Sequence, residues 1–71
     1  MANHYVINKN WTLNPGFHHE VHTRQHAEQL KISNTIYLGW FATEEEAVKA
    51  GKNYYADADG CAICCPRAHK G

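Results

Sequence analysis

Three cysteines placed close together near one end of the chain constrain its fold more than any other feature. Cys61, Cys64 and Cys65 are the only cysteines among the 71 residues. In a chain this short, a hydrophobic core rarely supplies more than about 3–5 kcal/mol, so small folds usually add a disulfide, a metal or a partner chain. An odd, clustered set of cysteines does not suit a disulfide framework and favours metal or redox chemistry. The alternative is that they are small buried thiols of the core.

Composition and charge exclude several classes of protein. Seven basic residues balance seven acidic ones, and a neutral chain lacks the basic face that binds nucleic acid, so we do not expect nucleic acid as a partner. The mean hydropathy of −0.60 is too polar for a membrane protein, and no stretch approaches the roughly 20 apolar residues that span a bilayer. Residues 1–10 contain no apolar run of a secretory signal. We therefore expect a cytoplasmic protein with a single domain over residues 1–71.

Apolar patterning predicts three strands. Tyr5-Val6-Ile7, within residues 4–9, is a β-branched and aromatic run bounded by asparagines, and predicts the first strand. Asn14-Pro15-Gly16 is a turn signal, after which Glu20-Val21-His22 predicts a second strand, antiparallel to the first. Thr35–Phe41 predicts a third strand with apolar residues on both faces, which favours a central strand covered on one side by a helix. Its alternation places Ile36, Leu38 and Trp40 on one face, with Tyr37 and Phe41 on the other.

A helix is expected directly after the third strand. Thr43 and Glu46 form a capping box, and Glu44–Glu46 suit the positive end of the helix dipole, so these glutamates need no metal-binding or catalytic role. Small and aromatic residues continue at helical spacing as far as Ala58, and Asp59-Gly60 predicts the turn that ends the helix. The spaced residues are Ala47, Ala50, Gly51, Tyr54 and Ala58.

The segment between the second and third strands stays ambiguous. Thr23–Lys31 is either a helical turn capped by Thr23 or a polar connection. Together the elements predict an α+β fold, with a small antiparallel sheet of about three strands, one main helix and a C-terminal cysteine knuckle.

Two pairs of spaced residues predict a metal site. The spacing Cys61-x-x-Cys64 lets two thiolates turn towards one ion, although dithiol redox sites share it. A redox pair usually begins a helix, whereas this motif follows a helix and precedes Pro66. His22-x-x-x-His26 places two imidazoles on the same side of a helical turn, or across the exit of a strand. Imidazole nitrogen and thiolate sulfur are the ligands of closed zinc sites, so we expect these four residues to bind zinc.

Other residues offer substitutes for this ligand set. Cys65-x-x-x-His69 is itself a ligand-type pair, so a set of three cysteines and one histidine from the last part of the chain is an alternative. His18 and His19 lie beside the turn at residues 14–16, and either can also substitute.

With these residues in view, the chain resembles the zinc domain of Ada-type methyl-accepting DNA repair proteins and the small zinc modules of some bacterial nucleases. The resemblance covers roughly residues 20–65. Phe41–Gly51 matches the helix start Phe-x-Ser/Thr-x-x-Glu-Ala-x-x-Ala-Gly of that family, between the histidine pair and the Cys-x-x-Cys. The runs Tyr5–Asn10 and Asp59–Pro66 also resemble the two ends of a group of short bacterial proteins.

The resemblance implies a zinc-binding fold without the alkyl transfer of the family. Those domains use a zinc-bound cysteine as the nucleophile where this chain has His22, and another cysteine where it has His26. An imidazole cannot serve as that thiolate acceptor, and the link to the Cys-x-x-Cys is longer here, with Lys52–Gly60 intervening.

A structural zinc-binding module that contacts a partner protein is therefore favoured over an enzyme. Two alternatives stay open. One is a thiol-redox or metal-assisted enzyme with Cys65 or His69 as the extra reactive group. The other is a nucleic-acid accessory module, which only the resemblance suggests.

Overall fold

The structure, a computed structural model, describes residues 2–13 and 17–70. Within these residues lie five strands and two helices, which confirms the α+β class. In chain order they are β1 (Asn3–Asn8), β2 (Thr12–Leu13), β3 (Phe17–Thr23), α1 (Arg24–Gln29), β4 (Thr35–Phe41), α2 (Glu44–Gly51) and β5 (Ala58–Gly60). Neither helix in this described part of the chain is long and apolar enough to cross a membrane. The predicted Asn14-Pro15-Gly16 turn lies outside the described residues.

The sheet contains the three predicted strands and two short ones that the pattern did not reveal. The strand order is β2-β3-β1-β4 with antiparallel neighbours, and β5 pairs in parallel with β3. The predicted antiparallel pairing of the first two strands is confirmed, with Ile7 opposite Val21. β2 has two residues and β5 has three, so neither is long enough to produce an alternating apolar pattern.

The predicted central position of Thr35–Phe41 is wrong, because β4 lies at the end of the strand order. Its predicted faces also change part-way along the strand. Ile36, Leu38 and Phe41 pack against the core, whereas Trp40 is 61% exposed. Gly39 adopts a φ of 133°, and the register of β1 with β4 shifts between Tyr5 and Val6. This irregularity reverses the alternation, so Phe41 faces the core in place of Trp40.

Helix α2 packs on the sheet face that carries Ile7 and Val21. The predicted cap is confirmed, because Oγ1 of Thr43 accepts a hydrogen bond from the backbone N–H of Glu46 at 3.2 Å. A Cβ atom on Gly51 would lie 3.1 Å from the side chains of both Ile7 and Val21, so a glycine lets the helix lie close to the sheet. The core cluster consists of Tyr5, Ile7, Val21, Ala47, Val48, Ala58, Cys65 and Ala68.

The main helix ends earlier than its apolar spacing predicts. α2 ends at Gly51, the side chain of Tyr54 is exposed, and Ala58 belongs to β5. Turns follow the helix, with the backbone N–H groups of Tyr54 and Tyr55 both donating to the Gly51 carbonyl. Ala58 still packs against Gly51, but it does so from a strand, so its helical spacing from Ala47 is coincidental.

The Asp59-Gly60 dipeptide is likewise not the predicted turn, since both residues lie in β5. A Cβ atom on Gly60 would lie 2.8 Å from the carbonyl oxygen of Cys65 and 3.0 Å from the carbonyl carbon of Ala68. The glycine is therefore required by a close backbone approach, because the C-terminal segment folds back over β5. Glu44 holds the same segment on α2, its carboxylate accepting hydrogen bonds from the backbone N–H groups of Arg67 and Ala68.

Candidate metal centre

The parallel pairing of β3 with β5 brings two distant parts of the chain to one end of the sheet. The last register pair is Val21 with Gly60, and the backbone N–H of Cys61 donates to the Val21 carbonyl at 2.9 Å. Because parallel strands end at the same edge of a sheet, the residues that follow these partners lie next to each other. His22 and Cys61 are those residues, so the pairing places the first histidine beside the first cysteine.

The second histidine reaches the same place through a strand-to-helix junction. Thr23 ends β3 and caps α1, its Oγ1 accepting a hydrogen bond from the backbone N–H of His26 at 3.2 Å. This resolves the ambiguous segment as a capped helix. The imidazole rings of His22 and His26 lie 5.7 Å apart between centroids. Of the two geometries expected for this spacing, the exit of a strand is the one found.

A tight turn positions the two cysteines. The backbone N–H of Cys65 donates to the Cys61 carbonyl at 2.8 Å, which closes one helix-like turn over the knuckle. Side chains three residues apart in such a turn point to the same side. Cys61 and Cys64 therefore face the histidine pair together.

The four predicted ligand residues converge. The ligand atoms of His22, His26, Cys61 and Cys64 all lie within 4.8 Å of one another. Sγ of Cys61 is 3.9 Å from Nδ1 of His26, and Sγ of Cys64 is 3.8 Å from Nδ1 of His22. Zinc bonds of about 2.3 Å to sulfur and about 2.0–2.1 Å to nitrogen would place tetrahedral neighbours about 3.6 Å apart. The two separations are close to that value, so small side-chain movements suffice to close the set around one ion.

Burial and charge also suit an ion. His22 and Cys61 are buried, while His26 and Cys64 are half-buried. Two thiolates and two neutral imidazoles would neutralise a divalent cation formally, which lowers the free energy cost of burying it.

The neighbouring cysteines 64 and 65 differ in protonation. The Sγ atoms of Cys64 and Cys65 lie 3.8 Å apart. The contact with Cys65 is the main cause that lowers the pKa of Cys64 to about 3. His22 and His26 also lower this pKa, whereas burial raises it. The contact with Cys64 and burial raise the pKa of Cys65. Burial likewise raises the pKa of Cys61. These opposite pKa shifts favour the thiolate on Cys64 and the proton on Cys65.

The substitute ligands occupy other surroundings. Cys65 is fully buried and belongs to the core cluster. Nδ1 of His69 lies 3.0 Å from the Gly60 carbonyl oxygen. His19 stacks on the ring of Tyr55, with centroids 3.7 Å apart. Among the residues that the structure describes, the cluster within ligand distance contains only the four residues first expected.

One neighbour of the cluster was not identified by the spacing of histidines and cysteines. Glu20 is 5% exposed, and its Oε1 lies 3.6 Å from Nε2 of His22. That nitrogen is buried and has no hydrogen-bond partner among the described residues. In a strand, residues two apart share a face. The spacing Glu20-x-His22 on a predicted strand therefore indicates that the two side chains lie on one face, next to each other.

Comparisons with protein-family models, curated proteins and solved structures give no significant match to this chain. The resemblance to the Ada-type zinc domain accordingly stays a prediction, based on the residues quoted for it.

Proposed function

We propose that this protein is a small structural zinc-binding module whose surface contacts a partner protein. The observation that carries the proposal is the convergence of two imidazole and two thiol groups within 4.8 Å of one another. They come from two segments far apart in the chain, since His26 and Cys61 are 35 residues apart. An ion held by all four would link β3 and α1 to the C-terminal knuckle.

The donor set favours zinc and a structural role. Two nitrogens and two sulfurs in a tetrahedral arrangement are typical of zinc. Structural zinc sites use four protein ligands, whereas catalytic sites keep one position open for water or substrate. Four candidate ligands are present here, so an ion would have its usual coordination completed by the chain itself.

Metal analysis of the purified full chain tests this proposal. We expect one zinc ion per chain, and we expect a chelator titration followed by circular dichroism to show loss of ordered structure. His26→Gln and His69→Gln form a matched pair, because both histidines are half-buried and only the first belongs to the cluster. The first variant should lose the ion and the second should keep it. A chain that takes up no metal and keeps its fold in chelator would contradict the proposal.

The partner contact is supported by exposed aromatic residues on the outer strand β4. Trp40 and Tyr37 of β4 are 61% and 52% exposed, and His4 of β1 is opposite Trp40 in the register. Aromatic side chains are enriched in protein interfaces. A partner recovered by affinity capture should therefore be lost with Trp40→Ser. It should be retained with Trp11→Ser, which changes an equally exposed tryptophan elsewhere. Equal recovery with both variants would contradict this assignment of the contact.

Thiol redox chemistry is a second candidate, which the contact between Cys64 and Cys65 favours. In thiol–disulfide exchange the Cys64 thiolate would attack oxidised glutathione and release one reduced glutathione, and the Cys65 sulfur, 3.8 Å away, would then displace the second as the Cys64–Cys65 disulfide forms. Equilibration of the zinc-loaded protein with oxidised and reduced glutathione, followed by disulfide mapping, separates the two candidates. A redox protein would form a reversible disulfide while zinc is available, whereas a structural site would keep its thiolates on the ion.

A further inference from the structure

A buried carboxylate lies directly behind one of the candidate ligands. Glu20 is 5% exposed and His22 is 1% exposed, and Oε1 of Glu20 lies 3.6 Å from Nε2 of His22. Burying an ionised carboxylate costs free energy unless donors or cations stand close to it. A position this enclosed therefore points to a role for the charge of Glu20.

The two ring nitrogens of His22 face different groups. Nδ1 lies 3.8 Å from Sγ of Cys64, inside the cluster, and Nε2 faces the carboxylate of Glu20. A neutral imidazole carries a proton on one nitrogen and a lone pair on the other. If Nδ1 binds an ion, Nε2 must hold the proton, and this is the buried nitrogen that lacks a hydrogen-bond partner among the described residues.

We propose that Glu20 is a positioning residue of the metal centre. Its carboxylate accepts a hydrogen bond from Nε2–H of His22, which fixes the tautomer that presents the Nδ1 lone pair to the ion. The same contact orients the ring, as carboxylates behind metal-bound histidines do. This inference rests on the proposed zinc binding. It requires the present 3.6 Å separation to shorten by several tenths of an ångström when the ion binds.

Glu20→Gln tests the role of the charge, because glutamine keeps the shape of the side chain and removes its charge. Zinc affinity is measured by competition with a chromophoric chelator, using the full chain. We expect the variant to bind zinc about 10–100-fold more weakly than the wild type. Asp57→Asn is the matched control, since Oδ1 of Asp57 lies 2.6 Å from Nδ1 of His19, another histidine of β3 outside the cluster. The control should keep the wild-type affinity.

A second measurement distinguishes positioning from general stabilisation. In zinc-loaded wild-type protein with ¹⁵N-labelled histidine, NMR should show His22 bound through Nδ1 and protonated at Nε2. Its Nε2 proton should exchange slowly with water, and Glu20→Gln should speed this exchange. A purely structural role for Glu20 would lower the melting temperature of the variant without changing this signal.

The outcomes separate this inference from the function on which it rests. Wild-type protein that binds no zinc would overturn both. Wild-type protein that binds zinc, with Glu20→Gln and Asp57→Asn equal in affinity, would overturn the role of Glu20 alone. If the Glu20 variant does not fold, the wild-type spectrum decides by itself, because binding through Nε2 of His22 would exclude the proposed contact.

Discussion

Cys64 and Cys65 follow each other in the chain, yet their side chains lie in different surroundings. Cys64 is half-buried and its sulfur faces His22, whereas Cys65 is fully buried among the core residues. The thiol of Cys65 lowers the pKa of Cys64, and the same contact raises the pKa of Cys65. One residue is therefore suited to bind a cation, and the next is suited to support it from the core.

The protonation of the two candidate cysteine ligands predicts how zinc binding depends on pH. Burial raises the pKa of Cys61, while the thiol of Cys65 is the main cause that lowers the pKa of Cys64 to about 3. At neutral pH, Cys61 of the metal-free protein therefore keeps its thiol proton, and an ion must displace this proton to bind. Because protonated Cys61 cannot bind, raising the pH strengthens binding and lowering it weakens binding.

Between about pH 7 and 8, the apparent zinc affinity should rise about tenfold, as expected for one released proton. Chelator competition at several pH values measures this slope. A rise of about a hundredfold would mean that two thiol protons are released, and would contradict the ionisation of Cys64.

At the scale of elements, the short parallel pair of β3 and β5 depends on a glycine. Gly60→Ala would place a Cβ atom 2.8 Å from a backbone oxygen and 3.0 Å from a backbone carbon of the overlying C-terminal segment. Since backbone atoms cannot move aside cheaply, the substitution should cost about 1–3 kcal/mol of unfolding free energy. It should also weaken zinc binding, because Cys61 follows directly. Denaturant unfolding and chelator competition measure the two effects.

Gly51→Ala is the control for this prediction. Its Cβ would contact the side chains of the core residues Ile7 and Val21 at 3.1 Å, and neither of these is a candidate ligand. We expect this variant to lose stability while keeping zinc affinity. Equal losses of affinity in both glycine variants would show that affinity follows general stability, and would contradict a specific effect of the β5–knuckle junction.

Helix α1 should depend on the ion more than α2 does. α1 has six residues, with Ala27 as its buried residue, and helices this short are not stable alone. α2 has three buried residues and an N-terminal cap, in which Oγ1 of Thr43 accepts from the Glu46 backbone N–H and donates to the Glu46 carboxylate. We therefore expect chelation to increase amide hydrogen exchange first in residues 24–30 and in the knuckle, with α2 still protected. Simultaneous loss of protection in both helices would contradict this order.

At the scale of the whole molecule, the core and the ligand cluster share the same strands. Val21 belongs to the core while the next residue, His22, belongs to the cluster, so one strand supports both. Ligands contributed by segments far apart in sequence come together only in the folded chain. An ion that binds the folded state alone must raise the free energy of unfolding.

We expect this free energy to rise by about 1.4 kcal/mol for each tenfold increase in free zinc above the dissociation constant. Urea unfolding in metal buffers measures the dependence. Cys61→Ser, which removes a buried sulfur of the cluster, should abolish it. A Cys65→Ser variant should be less stable at every zinc concentration but should keep the same dependence. An unfolding free energy that does not change with zinc in the wild type would contradict a structural role for the ion.

Local patterns determined much of this protein. The Thr43 cap, the strands at Tyr5–Ile7 and Thr35–Phe41, and the α+β class depend on neighbouring residues, so they could be identified from the sequence. The candidate ligands His22, His26, Cys61 and Cys64 could be named because each pair has a spacing that a short turn or junction can bring to one side. The donor types themselves indicated the preference for a metal such as zinc.

Long-range pairing decided the rest. Three residues at Ala58–Gly60 carry no strand pattern, and only their pairing with β3 makes them a strand and ends the main helix early. The positive φ at Gly39 turns Trp40 outward, which alternation alone does not predict. The contact of Glu20 with His22 depends on which sheet face is enclosed. Spacing thus identified the four residues of the cluster, while tertiary packing placed them together and brought the Glu20 carboxylate behind His22.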